Sequence, residues 1–160
     1  MASKLASAAD RMALTLGSCL GIGLSPRGPA TLGAAAGGIV YAAISPGLLW
    51  GVGMIVASTL VGAWASQRVI DLTGDRDPQL VVIDEVAGVW VVMAVVPAGW
   101  AWVLPAVITF RVFDKFKFGL AKRFDERHDG LGVMLDDVVA GGYAAILIKL
   151  GMVIHSAVFC

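Results

Sequence analysis

Two cysteines and two histidines are all that this 160-residue chain offers to thiol or soft-metal chemistry. Cys19 and Cys160 lie at opposite ends in apolar surroundings, with neither zinc-site spacing nor a disulfide framework. His128 and His155 belong to no H-E-x-x-H pattern, and the chain has no G-x-S-x-G elbow and no Walker loop. Gly21-Ile22-Gly23 is cut short by Pro26 and follows no strand, which excludes a dinucleotide fingerprint. Charge is scarce as well. Only 15% of residues are charged, and twelve basic side chains balance twelve acidic ones, so no basic surface is available for nucleic acid.

What is abundant is apolar surface. Hydrophobic residues make up 58% of the chain, above the roughly 45–50% of ordinary globular proteins, and lipid is the expected solvent. The length allows one domain, residues 1–160. Residues 1–28 comprise an amphipathic helix over about 3–20, with Leu5, Met12, Leu16 and Cys19 on one side, and then a Gly/Pro loop. Lys4 and Arg11 ahead of an apolar stretch give this segment a faint look of a signal peptide. Without a cleavage pattern over 21–29 it is expected to be retained.

Residues 30–160 read as an all-α membrane bundle of four to five apolar helices paired in hairpins. The uncharged, small-residue run 30–45 suits close helix contact, and its part 30–43 is also a candidate surface for a homo-oligomer. Residues 48–66 are long enough to cross a bilayer. After the polar stretch 67–78, the segment 79–116 could be one kinked span or two helices folded back at Pro97-Ala98-Gly99; two are expected, 79–97 and 98–116, each rising about 28 Å. A last apolar run covers 138–159. The fold-back delivers every polar segment to one side, and Lys115, Lys117, Lys122, Arg123 and Arg127 make that side cytoplasmic.

Eleven of the twelve carboxylates fall between Asp71 and Asp137, an expensive placement beside a bilayer. Three knots stand out. Asp84-Glu85 interrupts an apolar run, with Gly88 one turn beyond Asp84 leaving room on that face; the plainer alternative is an ion pair of one of the two with Arg111. Arg111 and Asp114 are three apart on a helix surface with Lys117 close behind, and arginine with lysine is a pairing suited to phosphate oxygens, although both could also be snorkelling at the membrane edge. Gly130-Leu131-Gly132 runs into Asp136-Asp137, expected at a helix start, where one aspartate but not two is an ordinary cap. Clustered carboxylates without histidine or cysteine favour magnesium over zinc. Asp71, Asp75, Asp125, Glu126 and Asp129 are expected to be solvated loop charge.

At these residues the chain resembles the phosphatidylglycerophosphatase A family. The resemblance rests on Asp77-Pro78 followed by Val82-Ile83-Asp84-Glu85-Val86-Ala87-Gly88, on Phe110-Arg111-Val112-Phe113-Asp114 with Lys117, and on the stretch from Gly130 through Asp136-Asp137 to Gly141. The Gly/Pro-rich opening from Gly21 to Thr31 and Gly33 belongs to it as well. Two departures are Ala30, where the family usually has glycine, and Phe118-Gly119-Leu120, where it usually has a proline-x-proline stretch.

The resemblance implies a multi-pass protein of the bacterial cytoplasmic membrane that removes the terminal phosphate of phosphatidylglycerophosphate with Mg2+, its active site facing the cytoplasm. It adds Thr31 and Asp77 to the site. The expected metal set is Asp77, Asp84, Glu85, Asp136 and Asp137, the catalytic set is Asp84, Glu85, Asp114 and Asp137, and phosphate falls to Thr31, Arg111 and Lys117. Attack by water and an aspartyl-phosphate intermediate are both compatible with these residues. From another functional class, a small cation or proton transporter could use the same acids, but it would spread them along a path through the spans rather than gather them at span edges.

Overall fold

The computed structural model describes residues 7–117 and 119–159; Leu5 and Cys160 lie outside them. Seven helices are formed: α1 (Ala8–Gly17), α2 (Pro29–Ile44), α3 (Leu48–Thr73), α4 (Ile83–Met93), α5 (Val103–Phe116), α6 (Leu120–Asp125) and α7 (Gly130–Phe159), with short 3-10 turns at Ile22–Leu24 and Trp100–Trp102. No strand occurs among the described residues, in keeping with an all-α chain.

Local chemistry sets the boundaries, several of which differ from the sequence expectation. Ser7 and Asp10 close a reciprocal capping box at the start of α1. α1 stops at Gly17 rather than near residue 20, because Cys19 and Leu20 take left-handed backbone angles that turn the chain toward the loop. α2 opens on Pro29 at its first turn, where a missing N–H costs nothing.

α3 runs on to Thr73 instead of ending at 66. Its polar last turns are held by Arg68, which donates to Asp10 at 3.1 Å, and by Gln67, whose side-chain oxygen accepts from Gly130 N–H at 2.9 Å, while Val69 stays fully buried. α4 and α5 are separate helices, but at 11 and 14 residues they rise only about 17 and 21 Å, less than the expected 28 Å. Flanking segments 79–82 and 94–102 supply the remainder as non-α backbone. α7 begins at Gly130, not 138. Asp129 caps it by accepting from Gly132 N–H at 2.7 Å, so Asp136-Asp137 stand about two turns inside the helix rather than at its start.

α4 is the centre of the bundle and packs against α7, α2, α3 and α5. Its Val89, Val92 and Met93 join Ala34, Tyr41, Phe110 and Ala140 in one core cluster, while Ile83 and Ala87 join Val69, Val133 and Met134 in a second. Of the small residues of α2, Gly33, Ala34, Gly37 and Gly38 are buried inside this packing, while Ala35 and Ala36 stay partly exposed. Gly37 and Gly38 let α2 approach Val86, Val89 and Val103.

Many outward-facing positions are large and apolar: Leu49 is 88% exposed, Trp50 79% and Ile146 67%. Among the described residues two helices, α3 and α7, are long and apolar enough to cross a membrane.

Candidate functional site

The site begins with the segment that leads into α4. Val82 N–H donates to Gly17 C=O at 2.8 Å and Val82 lies over Gly33, which pins the entry to α4 between α1 and α2. Asp84 and Glu85 fall in the first turn of α4, where the helix dipole favours negative charge. Both are buried.

α4 and α7 then cross at two glycines. A Cβ on Gly141 would run into the backbone of Gly88, and one on Gly88 would meet the Phe110 ring and the Asp137 carbonyl. Asp84 lies one turn before Gly88, and Asp137 one turn before Gly141. The crossing therefore carries the carboxylates together, and Asp84, Glu85 and Asp137 each present an oxygen within 4.8 Å of the others.

Asp84 Oδ1 and Glu85 Oε2 have no hydrogen-bond partner although both are buried. Such orphaned oxygens are costly, and a cation would satisfy them. The donor set fits a hard divalent cation: three carboxylates close together, without imidazole or thiolate.

Around this group lies a cavity of about 620 Å³, open to solvent and lined also by Arg111, Asp114, Lys117 and Asp136. Arg111 Nη1 reaches Asp114 at 2.5 Å and Glu85 at 3.6 Å. The ion pair weighed as an alternative thus exists, but it leaves Asp84 Oδ1 and Glu85 Oε2 without a partner. Lys117 Nζ donates to Asp136 at 2.5 Å and to Asp125 at 2.7 Å. Burial alone would lower the Lys117 ammonium's pKa, but Asp136 and Asp125 more than offset it and raise it above the ordinary value. The turn after α5 is tied down where Leu120 N–H donates to the Tyr143 hydroxyl at 3.1 Å. Cys19 is the thiol nearby. Burial, with the Asp84 charge, pushes it up to about 11, so it stays protonated and is no nucleophile at neutral pH.

Of the residues expected from sequence, Asp84, Glu85, Arg111, Asp114, Lys117, Asp136 and Asp137 all face this one cavity. Asp136 stands outside the three-carboxylate group and is engaged by Lys117 instead. Asp77 reaches the rim from an exposed loop, its backbone N–H donating to Asp75 at 3.2 Å. Thr31 is exposed on the first turn of α2; its neighbours Pro29 and Ala30 line the cavity and it does not. Asp125 is exposed, as expected of solvated charge, and also lines the cavity and pairs with Lys117. The hint in the sequence is a carboxylate eight positions beyond a lysine expected to hold phosphate.

Carboxylates that can hold a hard divalent cation, with an arginine and a lysine alongside, define a helical protein equipped to handle phosphate groups. Comparison with known proteins gives the family. The model of the Phosphatidylglycerophosphatase A family (PgpA) matches residues 15–152, and the chain belongs to that family: it is a phosphatase that hydrolyses a phosphomonoester. It is 36% identical over 134 residues to the Phosphatidylglycerophosphatase A of Haemophilus influenzae (80% of this chain, 81% of that one). Against the Escherichia coli protein of the same name it is 32% identical over 129 residues (78% and 74%). It is also 37% identical over 144 residues (84% and 90%) to a Bacteroides thetaiotaomicron protein named "Putative phosphatidylinositol-3-phosphatase". No solved structure matches.

Proposed function

We propose that the protein hydrolyses the terminal phosphate of phosphatidylglycerophosphate, releasing inorganic phosphate and leaving phosphatidylglycerol in the membrane. The observation that carries the reading is the pair of orphaned buried oxygens on Asp84 and Glu85, facing a cavity that also presents Arg111 and Lys117. Asp84, Glu85 and Asp137 would hold Mg2+, with Asp136 and Asp77 close by. When bound, the ion supplies positive charge against the phosphoryl oxygens. Arg111 grips the phosphate while Asp114 and Glu85 aim its guanidinium. Lys117, aimed by Asp136 and Asp125, adds a second cationic contact. One of the cavity carboxylates takes a proton from the attacking water, and the P–O bond breaks as the lipid alcohol takes up a proton; where a carboxylate is itself the nucleophile, water then hydrolyses the acyl phosphate to free phosphate.

α3 and α7 cross the membrane, and the cavity opens at its cytoplasmic surface, so the lipid keeps its chains in the bilayer while its phosphate enters the cluster. The gathering of the acids around one cavity favours hydrolysis over ion transport. A second reading, a phosphorylated inositol lipid as substrate, is favoured by the name of the Bacteroides relative.

The test is phosphate release from both lipids by detergent-purified protein. Release from phosphatidylglycerophosphate that stops with chelator, returns with Mg2+ and falls by at least about a hundredfold in Asp84→Asn is expected. Equal release by wild type and Asp84→Asn would sink the assignment, and preference for the inositol lipid would move it to the second reading.

A further inference from the structure

A second hollow, of about 470 Å³, runs along α2 beside the catalytic cavity, between that helix and the loop around the Ile22–Leu24 turn. Its lining is almost wholly apolar, with Leu32, Ala35, Ala36 and Ile39 from α2 facing Ile22 and Leu24. Residues 32, 35, 36 and 39 are one helical stripe, spaced i, i+3, i+4, i+7, and extend about 11 Å along the axis. Alanines at the middle of the stripe make the groove; larger residues at its ends border it.

Both walls of this groove are also connected to the catalytic cavity. Pro29, one turn before Leu32 on the same side of α2, lines the cavity, as does Ala30. The other wall rests on the cavity through Gly23, which sits so close to the Leu80 carbonyl that no Cβ would fit, and the flanking Gln79 and Val81 are cavity residues. The groove is open along its length to the exposed apolar side chains Leu20, Leu24, Leu32 and Ile39, which mark the lipid-facing surface. It therefore begins beside the polar cavity and follows α2 away from it toward the far end of the bundle.

We infer that this groove is the acyl-chain subsite: it receives one hydrocarbon chain of the lipid whose phosphate occupies the cavity. This deepens the proposed function and rests on it. A second copy of the chain would leave unexplained why both walls continue into the cavity, whereas a lipid substrate needs an apolar channel leading from a polar one. The groove makes the enzyme select for a chain that follows the phosphate, and it orients the head group by holding the chain.

The test compares phosphate release from long-chain and short-chain (dihexanoyl) forms of the same phosphorylated lipid in detergent micelles. Ala36→Trp fills the groove and is expected to raise KM for the long-chain lipid by roughly tenfold or more while leaving kcat and the short-chain reaction near wild type. Val56→Trp, on the exposed face of α3, is the control and leaves both unchanged. An unchanged long-to-short ratio in Ala36→Trp overturns the inference while the phosphatase reading stands; a wild type that releases phosphate from neither lipid overturns the phosphatase reading itself.

Should Ala36→Trp fail to fold, wild-type protein is labelled with a substrate analogue bearing a photoreactive acyl chain. Label on residues 32–39 that excess substrate removes supports the subsite. Label spread evenly over the exposed faces of α2, α3 and α7, as ordinary surrounding lipid would give, refutes it.

Discussion

α3 and α4 are both apolar helices, yet they live in opposite surroundings. α3 is 26 residues long and turns Leu49, Trp50, Val52, Val56 and Leu60 outward. α4 has 11 residues, of which nine are buried, two of them acids. Hydrophobicity does not separate the two, because lipid accepts Leu and Val as readily as a protein core does. What draws α4 inside is polarity and smallness: its carboxylates need company and its Gly88 allows α7 to close against it. In this chain the interior is organised around the site, and the bulk of the apolar residues is coat.

The sharpest way to break that contrast is at the glycines. Gly141→Val pushes α4 and α7 apart where only backbone is available to give way. It is expected to cost about 1–3 kcal/mol of stability and to abolish most phosphate release by separating Asp84 from Asp137. Gly53→Ala on α3, where an added Cβ meets nothing within 4 Å, is expected to be neutral or to stabilise by about 0.5–1 kcal/mol. Thermal unfolding in detergent beside an activity assay reads both, and equal damage from the two would show that the helices are not so different.

Lys117→Met comes next in size. Loss of the charge held between Asp125 and Asp136 is expected to lower kcat/KM roughly tenfold, mainly through KM, with the fold intact. Because the Lys117 pKa is raised, its stabilising contribution is fully present below the ordinary lysine value of 10.5 and is lost only as pH rises through the higher folded value. Thermal scans of wild type and Lys117→Met should therefore keep a constant offset across neutral pH.

The smallest effect belongs to Asp10, tied to Ser7 and Arg68 where α1 meets α3. Its hydrogen bonds to Ser7, with help from Arg68, lower its pKa, so its contribution is present above the unfolded value and disappears as pH falls through the lower folded one. Asp10→Asn should lower the melting temperature by a degree or two near neutrality, about the size of a weak surface pair, and not at all in strong acid.

Much of this organisation was legible in the chain. Asp84-Glu85, Arg111, Asp114, Lys117 and Asp136-Asp137 stand out because charge is rare around them, and the structure gathers all of them at one cavity. The division of labour was not legible. Whether Asp136 meets a cation or Lys117 depends on the angular position of α7, which the crossing at Gly88 and Gly141 sets. A sequence of twenty glycines does not say which two will touch. The short α4 was hidden for a related reason: residues 79–82 are apolar enough to read as helix, but Val82 N–H is taken by Gly17, a tertiary partner 65 positions away. The extension of α3 was hidden because Gln67 and Arg68 look like loop until Gly130 and Asp10 are seen to hold them.

The crossing of α4 with α7 has a bearing on how the protein is made. α7 follows every other helix, and it carries Asp137 as well as the glycine that brings α4 close. Before α7 is made, Glu85 already has Arg111 of α5 for a counter-charge, but Asp137, the third carboxylate of the group, is still missing. The crossing thus joins two segments far apart in the chain, and the group of Asp84, Glu85 and Asp137 is complete only once α7 has docked on α4.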